Sequence, residues 1–409
     1  MTLFDPTVAP AEPQADLKRR VAEAVAGARA EILDLSHRIH ANPEPAFEEV
    51  KAAEWVAETI GRHGYEVEQP AGSLSTAVRG RLAGGAPGSD PKSPGPRIGI
   101  LAEYDALPGL GHGCGHNTMA ASGVGAAIAL AAVRDALPGE IIFLGTPAEE
   151  RGSGKQFMLD DGLFEGVDAA LLFHPSDTTM VACDLLAAED VVVTFHGLQA
   201  HASSEPWMGK NALDALVLLF QAVGLWRQQL PQHARVHGIV IEGGTAANII
   251  PDRAVCRFMI RSHDEKYFRG MRDRMQAMAD GVAMATDTTA DVVFSGGSST
   301  MNDNEALVGR FRANLAAYGV ADSPPDPGRV GSSDMGNVSW HLPTIHPSLA
   351  ICDEGVPGHS IQFRDAAATP RADDVTLLAA TLVAQTAVEL LTDRALFEAA
   401  WTEFRSKTR

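Results

Sequence analysis

Between Gly111 and Asn117 the chain reads GHGCGHN, which sets His112, Cys114 and His116 almost side by side. Imidazole and thiolate are good ligands for borderline-soft divalent metals, and a thiolate is equally a nucleophile. An H-x-C-x-H stretch alone does not choose between a metal site, a nucleophile and a polar loop. The choice depends on what else the chain brings to it. The acidic phrase EYDALPGL (Glu103 to Leu110) precedes it, and Glu149-Glu150 in TPAEE, His174 in LLFHP and His359 in EGVPGHS come later.

These groups share one kind of position. Asp105 follows the apolar run RIGILAEY, Glu149 and Glu150 follow IIFLGTPA, His174 follows AALLF, and His359 follows SLAIC. Short apolar runs alternating with helical stretches such as GVGAAIALAAVRDAL and GKQFMLDDGLF predict buried parallel strands in a doubly wound α/β domain. In such a sheet ligands bind beyond the carboxyl ends of the strands. Cys114, His116, Glu150, His174 and His359 can therefore converge there as ligands for two divalent metals. Glu149 and Glu150 cannot both point inward from a regular strand. On a loop leaving the strand, one can bind metal while its neighbour takes a proton from water whose pKa the metal lowers towards ~7. The other cysteines, Cys183, Cys256 and Cys352, read as small packed hydrophobes, and His37, His40, His63 and His233 as surface or capping groups.

The positioning elements follow from periodicity. The first dozen residues are Pro- and Ala-rich and predict loose order. An amphipathic helix is expected from Asp16 to about Ala41, with Val21, Val25, Ile32, Leu35 and Ile39 on its apolar side, and another near Glu48 to His63. Gly84 to Pro96 reads as a flexible Gly/Pro insertion. From residue 187 the pattern becomes EDVVVTFHG (strand), NALDALVLLFQAVGLWRQQL (helix), HGIVIEGG and AVCRFMIRS (strands), YFRGMRDRMQAMADGVAMAT (helix) and ADVVFSG (strand). That βαββαβ order is ferredoxin-like. The expected organisation is a mainly parallel α/β catalytic domain in two pieces, 1–186 and 298–409, around an inserted α+β lid of 187–297. SLAICDEG then reads as a strand, and a long C-terminal helix begins near Ala372.

Composition narrows the partners. The 409 residues are 45% apolar and 21% charged, with formal charge −19. That balance argues against nucleic acid and anionic membranes, which require clustered Lys and Arg. Four dispersed cysteines, no secretory pattern and no run of 18 apolar residues predict a cytoplasmic protein.

With these residues assembled, the chain resembles metallopeptidase family 20, which includes aminoacylase, carboxypeptidase G and the plant auxin-conjugate hydrolases. HRIHANPEPAFEE, GHGCGHN, TPAEE, GLQAHASSEPWMGKNALDA, ANIIPDRAVCRFMIRS and VGSSDMGNVSW carry the likeness over nearly the whole chain. EYDALPG with GHGCGHN is similar to the subgroup of aminoacylase-like protein two and p-aminobenzoyl-glutamate hydrolase. The resemblance implies that Cys114 bridges two metals, that His116, Glu150, His174 and His359 complete the set, and that Glu149 is the general base. It further implies a homodimer in which His201 reaches the partner's site to stabilise the oxyanion. Asn248 and Arg261 would bind substrate, Arg261 gripping a carboxylate with its planar fork. Two departures stand out. Glu103-Tyr104-Asp105 replaces the His-x-Asp of many relatives, so that histidine's metal role has no counterpart here. Asn117 stands where an Asp often follows C-G-H.

The expected function is hydrolysis of the amide in N-acyl or aminoacyl amino acids with a free carboxylate. The metals would be Zn by thiolate and imidazole preference, with Mn, Co or Ni admitted by the carboxylates. The alternatives are a p-aminobenzoyl-glutamate-type or aromatic-amine hydrolase, and a catalytically silent binding or assembly protein.

Overall fold

In the computed structural model, which describes residues 3–87, 95–324 and 331–408, the chain forms two compact units. The first comprises the chain up to Cys183 with two later segments that begin at Met301 and Asn337. The second is Asp184–Thr300 with a short return segment ending at Gly336.

The first unit is built on a six-stranded mixed sheet. Its order is Glu66–Glu68, Val78–Ala83, Glu140–Thr146, Arg97–Glu103, Ala169–Leu171, Thr344–Ile345. The last four are mutually parallel, and the first two join antiparallel. Strand Glu140–Thr146 is buried throughout and Arg97–Glu103 is buried after its first residue, as central strands covered on both faces must be. Glu103 pairs with Thr146, so the acidic ends of these strands leave the sheet at one edge.

Helix His116–Ala132 (HNTMAASGVGAAIALAA) is almost wholly buried and packs on Arg97–Glu103, Arg29–Ala41 and Pro370–Thr392. Its small residues permit close approach. A Cβ on Gly123 would lie 2.6 Å from the Leu101 carbonyl oxygen. Helix Pro370–Thr392 is long and apolar enough to cross a membrane, but 94% of its apolar window is buried in the protein, where it serves this core.

Some local expectations need correction. The single helix expected over Asp16 to Ala41 is two, Ala15–Gly27 and Arg29–Ala41. The break falls at Gly27-Ala28, where glycine's low helix propensity leaves the turn to packing. The described part of the N-terminal segment is anchored: Phe4 is buried, and the Ala11 carbonyl accepts from the buried Lys18 ammonium, which is paired with Glu389 at 2.6 Å. The strand SLAICDEG shrinks to Ser348–Ala350, which pairs with His174–Ser176. Of the Gly84–Pro96 insertion, residues 88–94 lie outside the described residues.

The second unit carries a four-stranded antiparallel sheet. Its order is Thr289–Ser298, Ala187–His196, Arg253–Ser262, Ala234–Glu242. Helices Ala212–Trp226 and Glu265–Ala285 cover one face through Leu216, Leu219, Val223, Phe268, Met271 and Met275. Numbered along the chain, the strand order is 4-1-3-2, the arrangement of a split βαβ fold.

Gly123→Ala tests the close approach. Alanine is the better helix former by about 1 kcal/mol, yet the clash with Leu101 should make the variant less stable by about 1–3 kcal/mol in urea unfolding. A stabilised variant would show that this contact does not constrain the helix.

Candidate active site

The parallel strands deliver their chemistry to one edge. Loop 104–115 leads from strand Arg97–Glu103 to His116, the first residue of its helix. Gly115 just before it has φ 81°, and a Cβ there would sit 2.7 Å from Pro175. Glycine at this point lets the Cys114–His116 turn press against the segment that carries His174.

Three groups of donor atoms form, each with all its atoms within 4.8 Å of one another: Cys114, His116 and His174; Cys114, Glu150 and His359; and Glu103, His116 and Glu149. All five expected ligands are thus brought together, with Cys114 common to two groups. Cys114 Sγ lies 3.5 Å from His174 Nε2, and His359 Nε2 lies 3.5 Å from Glu150 Oε1. Glu149 lies at the edge of the cluster, 3.9 Å from His116 Nε2.

Hydrogen bonds aim these donors. The buried Asp105 accepts from His116 Nδ1–H at 3.0 Å through one oxygen and from the Glu150 backbone N–H at 2.9 Å through the other. That bond turns His116 Nε2 toward the cluster. His174 Nδ1–H donates to the Pro175 carbonyl at 2.6 Å, which presents its Nε2 in the same way. His116 Nε2 and Glu150 Oε1 are buried without a hydrogen-bond partner among the described residues. Burial, then the neighbouring His116, pushes His174 down to about 4, so its imidazole is neutral. Burial pushes the Cys114 thiol up, and a bound cation is what would make it a thiolate. A neutral His174 imidazole, unpartnered donor atoms and a shared sulfur fit divalent metals.

Several contributors escaped the sequence reading. Glu103 replaces a ligand histidine of many relatives, yet its Oε2 lies 3.3 Å from His116 Nε2. Its other oxygen accepts from Lys155 Nζ at 2.5 Å, with both side chains fully buried. Burial is the largest single influence and raises the Glu103 pKa, but Lys155 together with His116, His346 and His174 outweighs it and holds the carboxyl at about 2. His346 is buried, its ring centroid 5.4 Å from that of His174. A signal for it was present, because His-Pro-Ser occurs at both 174–176 and 346–348 on segments that pair in parallel. Asn117 has a different use: its amide donates to Ser36 Oγ and the Ala367 carbonyl, tying the helix to its neighbours.

His201, Asn248 and Arg261 belong to the second unit, and all three are exposed. His201 Nδ1 accepts from the Ser203 and Ser204 backbone N–H groups at 3.3 Å, so Nε2 carries the proton and is a donor. The Asn248 carbonyl accepts from Ala202 N–H beside it. Arg261 sits on strand Arg253–Ser262 between Ala188 and Arg235, with its guanidinium against Met259 Sδ. Among the described residues it forms no ion pair.

A parallel-ended sheet with a thiol, imidazoles and carboxylates at one end is a site suited to divalent metal. The peptidase family M20/M25/M40 profile matches residues 99–381, and the chain belongs to that family. It is 34% identical over 417 residues to the Xaa-Arg dipeptidase of Mus musculus, covering 96% of this chain and 93% of that one. It is 28% identical over 472 residues to a p-aminobenzoyl-glutamate hydrolase chain of Escherichia coli, covering 96% of each. A solved Bacillus subtilis structure, a dinuclear metal binding peptidase from the same family, aligns with TM-score 0.64 at 20% identity, over 88% of this chain and 99% of that one. The protein is a metal-dependent hydrolase of amide bonds, and the silent-scaffold alternative falls.

The buried Lys155–Glu103 pair supplies a test. Lys155→Met leaves Glu103 as an uncompensated buried charge and should cost about 3–5 kcal/mol in urea unfolding. The double variant Lys155→Met/Glu103→Gln should recover much of that loss. A single variant as stable as wild type would mean that the pair does not hold this edge together.

Proposed function

We propose that this protein is a homodimeric two-metal dipeptidase or N-acyl amino acid hydrolase, acting on substrates with a free carboxylate. The observation that carries the reading is that Cys114 Sγ is common to two donor groups, one completed by His116 and His174, the other by Glu150 and His359. Zinc is the metal that thiolate and imidazole favour, and the carboxylates admit Mn, Co or Ni.

A pair of divalent cations held there would supply Lewis-acid polarisation of the amide carbonyl and a water acidic enough to lose its proton near neutral pH. Glu149 takes that proton and returns it to the leaving nitrogen. His201 donates from Nε2 to the oxyanion, a role that its Nδ1 contacts with Ser203 and Ser204 support. Arg261, without an ion-pair partner among the described residues, grips the substrate carboxylate, with Asn248 beside it as a polar contact. Dipeptides ending in arginine, as cleaved by the mouse relative, head the substrate class, and p-aminobenzoyl-glutamate is the second candidate.

The homodimer reading draws support from the second unit. Strand Ala234–Glu242 is a sheet edge, and Ile239, Val240 and Ile241 on it are 64%, 51% and 56% exposed. Helix Ala212–Trp226 adds exposed Val217 and Leu225. A long apolar edge strand left open is an aggregation hazard, which pairing with a second copy removes. Four free thiols agree with a reducing, cytoplasmic setting.

Glu149→Gln should keep wild-type metal content while losing at least ~10²-fold in kcat on a panel of Xaa-Arg dipeptides and N-acyl amino acids. Mixed with inactive His201→Ala, it should regain activity in heterodimers, where one site receives both intact groups. Near-normal turnover by Glu149→Gln removes the base assignment, and no recovery with exchange of protomers confirmed removes the role of His201 in trans.

Arg261 sets the expected preference for acids. Wild type should cleave a free-acid substrate far faster than its C-terminal amide, and Arg261→Ala should lose that preference through a fall in kcat/KM. Arg261→Lys keeps the charge without the fork and should recover only part. Equal cleavage of acid and amide by wild type would rule out the carboxylate anchor.

A further inference from the structure

Glu49 belongs to none of the donor groups, yet it is fully buried in the first unit. It stands at the N-cap of helix Val50–Arg62 without capping it by its side chain. Its carboxylate serves other groups. Oε1 accepts from the backbone N–H of Phe47 and of Ala148, both at 2.9 Å, and Oε2 accepts from Thr76 Oγ1 at 2.8 Å.

Both backbone partners are in the left-handed region: Phe47 has φ 67° and Ala148 has φ 59°. Non-glycine residues stay there only where their surroundings hold them. Ala148 immediately precedes Glu149 and Glu150. The N–H on the far side, that of Glu150, is taken by Asp105, and the Ala148 carbonyl accepts from Gly154 N–H at 3.1 Å. Glu149 is thus flanked by two backbone N–H groups, each delivered to a buried carboxylate. One of these, Asp105, also touches the donor cluster, whereas Glu49 reaches the Glu pair through the Ala148 backbone N–H.

We propose that Glu49 is a positioning residue for the hydrolytic reaction. By holding Ala148 left-handed, it turns the chain after strand Glu140–Thr146 so that Glu149 and Glu150, neighbours in sequence, can both serve one site. The inference rests on the reading of Glu149 as base and Glu150 as ligand. Burial pushes the Glu49 carboxyl up to about 7, so the fold carries a costly group at this point in order to make these bonds.

The requirement is for an acceptor with the right reach, and charge is secondary. The test compares Glu49→Gln with Glu49→Asp in the full-length, metal-loaded protein, on the panel member that wild type cleaves best. Glutamine keeps an oxygen for both N–H groups and should hold kcat within about threefold of wild type. Aspartate keeps the charge but is one methylene short. It should lose at least about tenfold in kcat, with KM and metal content near wild type, because the base is misdirected while the ligands remain. Hydrogen exchange in the peptide covering 147–152 should quicken in the Asp variant and stay near wild type in the Gln variant. Aspartate as active as wild type, or glutamine as impaired as aspartate, overturns the proposal, and so does exchange that does not quicken with aspartate. If Glu49→Asp does not fold, Thr76→Val removes only the hydroxyl steering Oε2. It should show a smaller loss of kcat together with faster exchange, and no change in either overturns the proposal. Glu149→Gln run in parallel separates the two readings: its near-normal turnover sinks the base assignment, whereas exchange of the 147–152 peptide reports on the Glu49 clamp regardless.

Discussion

Asp105 accepts a hydrogen bond from His116 and another from the backbone of Glu150. One buried carboxylate thereby couples donors from two adjacent strand ends. Its first bond fixes the imidazole tautomer, and its second fixes the course of the chain past the Glu pair. Neither constraint works without the other, because a metal set needs both the direction of each lone pair and the spacing between them. The sheet makes the coupling possible: Arg97–Glu103 and Glu140–Thr146 are parallel and in register, so their ends emerge together.

Placing so many polar groups at a buried edge is costly, and the structure offsets the cost locally. Lys155 neutralises Glu103, Thr76 and two backbone N–H groups satisfy Glu49, and the Pro175 carbonyl satisfies His174. Of the buried polar atoms left without a hydrogen-bond partner, Glu103 Oε2, His116 Nε2 and Glu150 Oε1 lie in the donor groups. Buried polar atoms are ordinarily paired, and the unpartnered ones within the donor groups fit a bound cation. Strain gathers there too. Ala148, Ser153 and His359 all have positive φ, each at a cost of about 1–3 kcal/mol that only a well-packed surround sustains.

The second unit solves a different problem. Its antiparallel sheet buries one face under two helices and leaves its edge strand and the residues expected to meet substrate accessible. At His201 two backbone N–H groups on the turn that follows it are enough to select the tautomer.

Much of this was legible in the sequence. The apolar runs marked the central strands because strands buried on both faces carry no polar alternation. The βαββαβ order marked the second unit, and Cys114, His116, Glu149, Glu150, His174 and His359 were identifiable because metal and proton chemistry admits few residue types. Less visible was everything held through the backbone or across long separations. The break at Gly27-Ala28 escaped because amphipathic periodicity runs on across it. Lys155, Glu103 and Glu49 escaped because a charged residue in a sequence reads as solvent-facing until its partner is known, and each partner comes from a distant segment. Residue type and strand order are written locally, so the sequence by itself determined which donor groups the chain offers and at which strand ends they gather. The direction in which each group points depends on bonds between segments tens of residues apart, and only the tertiary structure decided that.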